Sequence, residues 1–238
     1  TFRSKALMSF TLSKVVPWGR SFEEYIAMFS LSSTDLKLEI LGCGDGPACF
    51  NSIHSSRGGS IVSIDPLYDF SKEEIKDRID ETYEEVLEQV RRNTGEFIWE
   101  SIGSVEELGR IRMAAMQSFL QDFDDGKKEG RYIAGGLPNL PFHDGKFDLA
   151  LSSHFLFLYS EQLCKEFHLF SIRELTRVAR EVRIFPVLEL GSKKSRHLNE
   201  VTKELVREHY EIEITKVPYQ FQKGGNEMMV VRSTTPFF

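Results

Sequence analysis

Apolar and polar positions change period repeatedly along this chain, and each change marks an element. Behind Ser21, the apolar residues Phe22, Tyr25, Ile26 and Phe29 recur at helical spacing, with Glu24 three residues on from the serine. The pattern predicts a short amphipathic helix opened by a capping box. The run Lys37-Leu38-Glu39-Ile40-Leu41 stops in glycines at 42, 44 and 46, which predicts a buried parallel strand and a tight turn. Residues 47–53 are expected to start the next helix and to aim its first amide groups over that turn. After Gly58-Gly59, the β-branched run 60–64 predicts a second strand ending in Asp65-Pro66. Segment 71–128 is mostly helical, with one helix over 71–92, a second over 105–123, and Gly95 and Gly103 breaking the interval. The remainder predicts strands at 131–134 and 147–153, a helix at 167–180, a strand at 182–190 and a helix at 197–208. Two closing strands, 210–218 and 227–232, are joined by a Lys223-Gly224-Gly225-Asn226 hairpin turn.

Strands alternating with helices and ending in a hairpin predict an α/β fold: a doubly wound, mostly parallel sheet with one antiparallel strand. Segment 71–128 exceeds one crossover helix, so it reads as a helical insertion between strands 2 and 3. It is either a wall over a ligand, with Trp99, Met113, Met116 and Phe119 lining it, or a helical pair packed on itself. A single domain is expected over 8–238, with 1–7 set aside as an extended start or an expression remnant.

The 238 residues suffice for one such domain with a sizeable core. A hydrophobic share of 41% beside 28% charged residues suits a soluble globular chain. No apolar run approaches the roughly 20 residues that cross a bilayer, so no membrane association is expected. Cys43, Cys49 and Cys164 lack metal-ligand spacing, which implies packing roles in a reduced, cytoplasmic setting. A net charge of −6 disfavours nucleic acid as a partner. The one basic cluster, Lys193-Lys194-Ser195-Arg196, is expected as a solvated loop. His54, His143, His168, His197 and His209 also lack metal spacing, and no metal site is expected.

Lacking β-carbons, the turn at 42–46 lets a ligand lie against backbone at the carboxyl end of a strand, where open α/β sheets bind their ligands. A dinucleotide fingerprint needs glycine at position 47, where Pro47 stands; this opposes a nucleotide-dependent oxidoreductase. Asp65 follows about 20 residues later, and its two oxygens suit the adjacent hydroxyls of a ribose. The same aspartate also suits a helix cap or turn; standing after a glycine turn, the ribose role is the one expected.

The Gly-x-Gly-x-Gly turn, the acid after the second strand, Leu140-Pro141-Phe142 with the Gly145-Lys146-Phe147-Asp148 turn, and the closing hairpin resemble, in this order, class I S-adenosylmethionine-dependent methyltransferases. Trp18-Gly19-Arg20-Ser21-Phe22, Leu41-Gly42-Cys43-Gly44-Asp45-Gly46-Pro47 and the Tyr219-x-Phe-Gln-Lys-Gly-Gly-Asn226 hairpin are similar to an uncharacterised bacterial branch of that superfamily. The resemblance covers the chain from about Trp18 onward and implies the seven-stranded Rossmann-like methyltransferase fold, with S-adenosyl-L-methionine (SAM) as cofactor. It implies that Gly42, Cys43, Gly44 and Gly46 pass under the methionine part. Asp65 would hold the ribose, with Pro66 and Leu67 beside the adenine, and Gly136 and Leu137 would line the adenine slot. Ser153 and His154 would sit beneath the sulfonium. Two positions depart from the pattern. Ile40 stands where an acid usually precedes the first glycine, and Gly136 stands where members often carry Asp. Glu39 is next to position 40, but strand alternation turns it to the opposite side.

Methyl transfer from a sulfonium is an in-line displacement, for which a protein aligns the nucleophile and excludes water. His154 is the candidate base or substrate-positioning group, with a structural role in its loop as the alternative. Arg20 is a candidate partner for the cofactor carboxylate, or else a surface ion pair. Tyr219 and Gln222 are candidate substrate contacts, and Asn226 reads as a turn residue. Ser152-Ser153-His154-Phe155 is not the Asn/Asp-Pro-Pro-Tyr/Phe motif of amino-group methylation on DNA or glutamine, and no paired cysteines suggest cytosine methylation. The expected activity is methyl transfer to an unidentified small-molecule acceptor. The alternative is a SAM- or nucleoside-binding regulatory or assembly protein without transferase activity.

Overall fold

The computed structural model describes residues 17–234, so the expectation for 1–7 lies outside the described residues. Helix α1 (Phe22–Met28) has the expected capping box: Ser21 Oγ accepts the Glu24 N–H, and the Glu24 carboxylate accepts the Ser21 N–H at 2.8 Å. Strand β1 (Glu39–Cys43) is followed by α2 (Phe50–Ser56), β2 (Ser60–Ile64), α3 (Lys72–Arg92), α4 (Val105–Lys128), β3 (Tyr132–Ile133) and β4 (Phe147–Ser153). Helix α5 (Lys165–Val178) leads into β5 (Ala179–Phe185), a small hairpin of β6 (Leu188–Glu189) and β7 (Lys193–Lys194), α6 (Leu198–Arg207), β8 (Tyr210–Lys216) and β9 (Glu227–Ser233).

Seven strands form one sheet in the order β3-β2-β1-β4-β5-β9-β8. Only β9 runs antiparallel, to β5 on one side and β8 on the other. This is the doubly wound, mostly parallel seven-stranded sheet expected from the sequence, with α3 and α4 inserted between β2 and β3. Side-chain alternation divides the core between two faces. Ile40 joins Phe22, Tyr25 and Phe50 on one, and Leu41 joins Ile172, Leu175 and Val201 on the other.

The differences from expectation have local causes. Helix α2 begins at Phe50, not at Pro47, so residues 47–49 are turn and loop. Strand β5 stops before Pro186, which has no N–H to extend the ladder, and 188–194 turns back on itself. The basic cluster is therefore only partly solvated loop. Lys193 and Lys194 form β7, Ser195 is buried with its Oγ 2.6 Å from Ser160 Oγ, and Arg196 pairs with Glu189.

The insertion packs as a helical pair. Met116 and Phe119 are buried with Tyr68, Ile75, Phe123 and Tyr132, and Met113 lies against that cluster. Trp99 meets Phe97 and Phe221 edge-on. The connection between the helices is stitched to the loop before β9: Ile98 N–H donates to Phe221 O at 2.7 Å and Lys223 N–H to Glu96 O at 2.9 Å.

Candidate functional site

Over the carboxyl ends of β1, β2, β4 and β5 lies a cavity of about 770 Å³. Of the residues singled out from the sequence, the structure brings Arg20, Cys43, Gly44, Gly46, Asp65, Pro66 and Leu67 to its wall. Gly136, Leu137, Ser153, His154, Tyr219 and Gln222 join them there. Gly42 is the exception. Trp99, Met113, Met116 and Phe119 do not line it either; from the insertion Ile75, Arg78, Val86, Val90, Leu108 and Arg112 do.

Gly42 is explained by Asp45, which sequence reading passed over. A Cβ on Gly42 would fall inside the Asp45 carboxylate, which folds back beneath the turn. That carboxylate is buried and accepts hydrogen bonds from Tyr25 Oη at 2.8 Å and Ser63 Oγ at 2.6 Å. The first glycine thus makes room for an internal acid and does not touch the cavity. Because two hydroxyls fix that acid, Gly42→Ala is expected to destabilise the fold by about 2–3 kcal/mol through overpacking, read as a lowered urea midpoint. An unchanged midpoint would show that Asp45 swings clear. Gly44 is left-handed (φ 74°) with Phe155 close to where a Cβ would stand, so its backbone is held bare at the cavity wall.

Burial raises the Asp45 carboxyl to about 6 and nearby Asp65 adds to this, while the Ser63 and Tyr25 hydroxyls oppose it. A carboxyl raised above its ordinary 3.8 adds stability that is complete below pH 3.8 and is lost as the pH rises through about 6. Tyr25→Phe removes a bond to the ionised form, so the Asp45 carboxyl carbon is expected to titrate above 6 by ¹³C NMR. A midpoint unmoved or lowered would contradict this account.

Asp65 fills the cap role weighed for it, and it also stands on the cavity wall. Its Oδ2 accepts the Gly46 N–H at 2.9 Å and its Oδ1 the Leu67 N–H at 2.8 Å, the latter capping the short turn Pro66–Asp69. Each oxygen keeps a further lone pair, and the carboxylate lies on the cavity wall. Burial pushes its carboxyl upward, against those two amides. Glu39, by contrast, is exposed at the far end of β1 and accepts from Ser60 Oγ. It does not take the place of the missing acid at position 40.

The inner end of the cavity holds a charged cluster. Arg112 of α4 is completely buried and pairs with the Glu24 carboxylate, which also accepts from Tyr219 Oη at 2.8 Å. Burial raises the Glu24 carboxyl, and the Arg112 charge and hydrogen bond overcome that to hold it at about 2. Arg20 donates through Nη1 to Trp18 O at 3.1 Å, while its Nε is buried without a partner. Burial, then the Arg112 charge, lowers the Arg20 guanidinium.

His154 follows β4 in a left-handed conformation (φ 51°), its N–H donated to Phe185 O and its Nδ1 2.9 Å from Ser153 Oγ. Burial, then Arg20 and Arg112, hold its imidazole well below the ordinary range, so it is neutral at physiological pH. Tyr219 packs edge-on against Phe185, and Gln222 Nε2 donates to Ser192 Oγ at 3.2 Å. Sequence reading missed Arg112, although a signal existed: an arginine in phase with Leu108, Ala115, Met116 and Phe119 on the buried stripe of α4. Among the described residues, no group of three or more His, Cys, Asp or Glu side chains is placed to hold a metal ion. No described helix is long and apolar enough to cross a membrane.

No known family model matches the sequence. The uncharacterized protein MJ0045 of Methanocaldococcus jannaschii is 33% identical over 222 residues, which span 93% of this chain and 97% of that protein. That relative is archaeal, so the lineage is not confined to bacteria. Among solved structures, a TehB-like SAM-dependent methyltransferase of Corynebacterium glutamicum is 14% identical, with a TM-score of 0.48 over 90% of this chain and 88% of its own. The magnesium protoporphyrin IX methyltransferase of Synechocystis with bound SAM is 12% identical, with a TM-score of 0.45 over 90% of this chain and 78% of its own. At that level neither bears on substrate or activity.

Proposed function

This chain belongs to the same family as the Methanocaldococcus jannaschii protein, and we propose, from its own cavity, that it is a SAM-dependent methyltransferase acting on a small-molecule acceptor. The observation that carries the reading is the pairing of a bare glycine turn with Asp65 across one cavity wall. The Gly46 amide fixes the carboxylate relative to the turn, leaving lone pairs for a ribose diol. Pro66, Leu67, Gly136 and Leu137 give the cavity wall beside Asp65 an apolar surface suited to a purine. The partnerless Arg20 Nε suits the cofactor's carboxylate.

When bound, SAM supplies an electrophilic methyl group. The chain's own part is to bind, orient and exclude water. Tyr219, Phe185 and residues of the insertion line the cavity and would shield a bound ligand from water. His154, neutral at physiological pH, orients an acceptor by hydrogen bonding more readily than it removes a proton, since a base works best with a pKa near the working pH. This favours acceptors whose attacking atom already carries a free lone pair.

Isothermal titration with SAM and S-adenosylhomocysteine, followed by a search for S-adenosylhomocysteine formation with pooled acceptors, tests the proposal. Micromolar binding and turnover are expected. Folded wild-type protein that binds neither compound would remove it. Binding without turnover in any pool would favour the regulatory reading.

A further inference from the structure

Arg112 raises a question that the cofactor alone does not answer. Its guanidinium is completely buried; Nη1 pairs with Glu24 and the Tyr219 hydroxyl also acts on the group, but Nε and Nη2 make no hydrogen bond of normal geometry. These two nitrogens form one edge of the guanidinium, the planar two-donor fork that matches a carboxylate. A buried donor left unsatisfied costs about 1–3 kcal/mol, so a site that retains two of them is suited to a ligand that pairs both.

Charge points the same way. Within the cluster, two guanidiniums stand beside one carboxylate and a neutral imidazole, a local surplus of one positive charge in a cavity that Asp45, Asp65, Glu74, Asp77, Glu81 and Glu96 also line. SAM does not remove the surplus, because its carboxylate is outnumbered by its ammonium and sulfonium groups. A carboxylate on the Arg112 fork would balance that surplus locally. Arg112 also comes from the insertion, which contributes the apolar Ile75, Val86, Val90 and Leu108 to the cavity, with Phe97 stacked on Phe221, as well as charged residues such as Arg78 and Glu74.

We propose that Arg112 anchors a carboxylate of the methyl acceptor, so that the acceptor is a carboxylic acid with an apolar body. The inference rests on the methyltransferase reading and names its substrate class. Arg20 serves the cofactor's carboxylate, and Arg112 serves the acceptor's.

The test is calorimetric, using phenylacetate and its uncharged counterpart phenylacetamide, titrated with and without saturating S-adenosylhomocysteine. Two variants accompany the wild type. Arg112→Lys keeps a charge opposite Glu24 but lacks the fork, and Arg112→Met with Glu24→Gln removes both charges together. The wild type is expected to bind phenylacetate at least roughly 10-fold more tightly than phenylacetamide, and both variants to lose that margin while S-adenosylhomocysteine affinity holds. Equal binding of acid and amide, no binding of phenylacetate, or an unaltered margin in both variants would overturn the proposal. So would weaker S-adenosylhomocysteine binding in Arg112→Lys with unchanged 5′-methylthioadenosine binding, which would give the fork to the cofactor. If the wild type binds no S-adenosylhomocysteine, the methyltransferase reading fails by itself, and the cofactor-free titrations decide the Arg112 site separately.

Discussion

Arg112→Met alone is expected to lower stability by about 3–5 kcal/mol at neutral pH, with most of the loss recovered when Glu24→Gln is added. The asymmetry follows from burial. Arg112 has no exposed surface and Glu24 very little, so removing the guanidinium leaves a carboxylate in a poorly solvated place with only Ser21 N–H and Tyr219 Oη as donors. Removing both charges takes away the attraction and the desolvation cost together. The sign of the pH dependence supplies an independent check. In the wild type the Glu24 carboxyl lies at about 2, below its ordinary 4.5, so its contribution is present above pH 4.5 and lost as the pH falls through about 2. In Arg112→Met, burial without the counter-charge pushes that carboxyl upward, so the deficit relative to wild type should narrow as the pH is lowered. Urea titrations at neutral and acidic pH read both effects. A single variant as stable as the double one would mean that Glu24 is solvated after all.

Asp65→Ala is expected to weaken S-adenosylhomocysteine binding by roughly 100-fold, about 3 kcal/mol, as two charge-assisted hydrogen bonds to the ribose are lost. The carboxylate also holds the Gly46 and Leu67 amides, so the turn loosens as well. Asp65→Asn separates the contributions. Its amide oxygen can still accept one of the backbone N–H groups, so its stability is expected to lie nearer the wild type while its affinity stays low. Calorimetry gives the affinities and thermal unfolding the stabilities. Binding by Asp65→Ala equal to wild type would take the ribose away from this wall.

Much of this architecture was legible in the sequence because it rests on local chemistry. The Ser21–Glu24 capping box, the β-branched run 60–64 and the glycines after β1 are decided within a few residues. What stayed hidden depends on contacts distant in sequence. Asp45 looked like an ordinary turn residue until Ser63, 18 positions away, and Tyr25, 20 positions away, enclosed its carboxylate. Arg112 and Glu24 are 88 residues apart, and no periodicity links them. Met116 and Phe119 read equally well as pocket or core, and the position of Tyr68 and Tyr132 made them core. Helix α2 began late because Ala48 and Cys49 remain in the turn whose Cys49 amide donates to Arg20 O at 3.1 Å, holding the amino-terminal segment to the glycine turn.

Strand β9 is the last described strand, yet it lies inside the sheet, between β5 and β8. A nascent chain emerging from the ribosome can therefore pair β1 to β5 early, but β8 has no neighbour until β9 arrives, and the outer edge of β5 stays bare meanwhile. Tyr219 and Phe221, delivered just ahead of β9, are among the last pieces of the cavity wall to be synthesised. A product truncated before residue 227 would leave the facing edges of β5 and β8 bare and would lack the strand that anchors Tyr219 and Phe221 at the cavity wall.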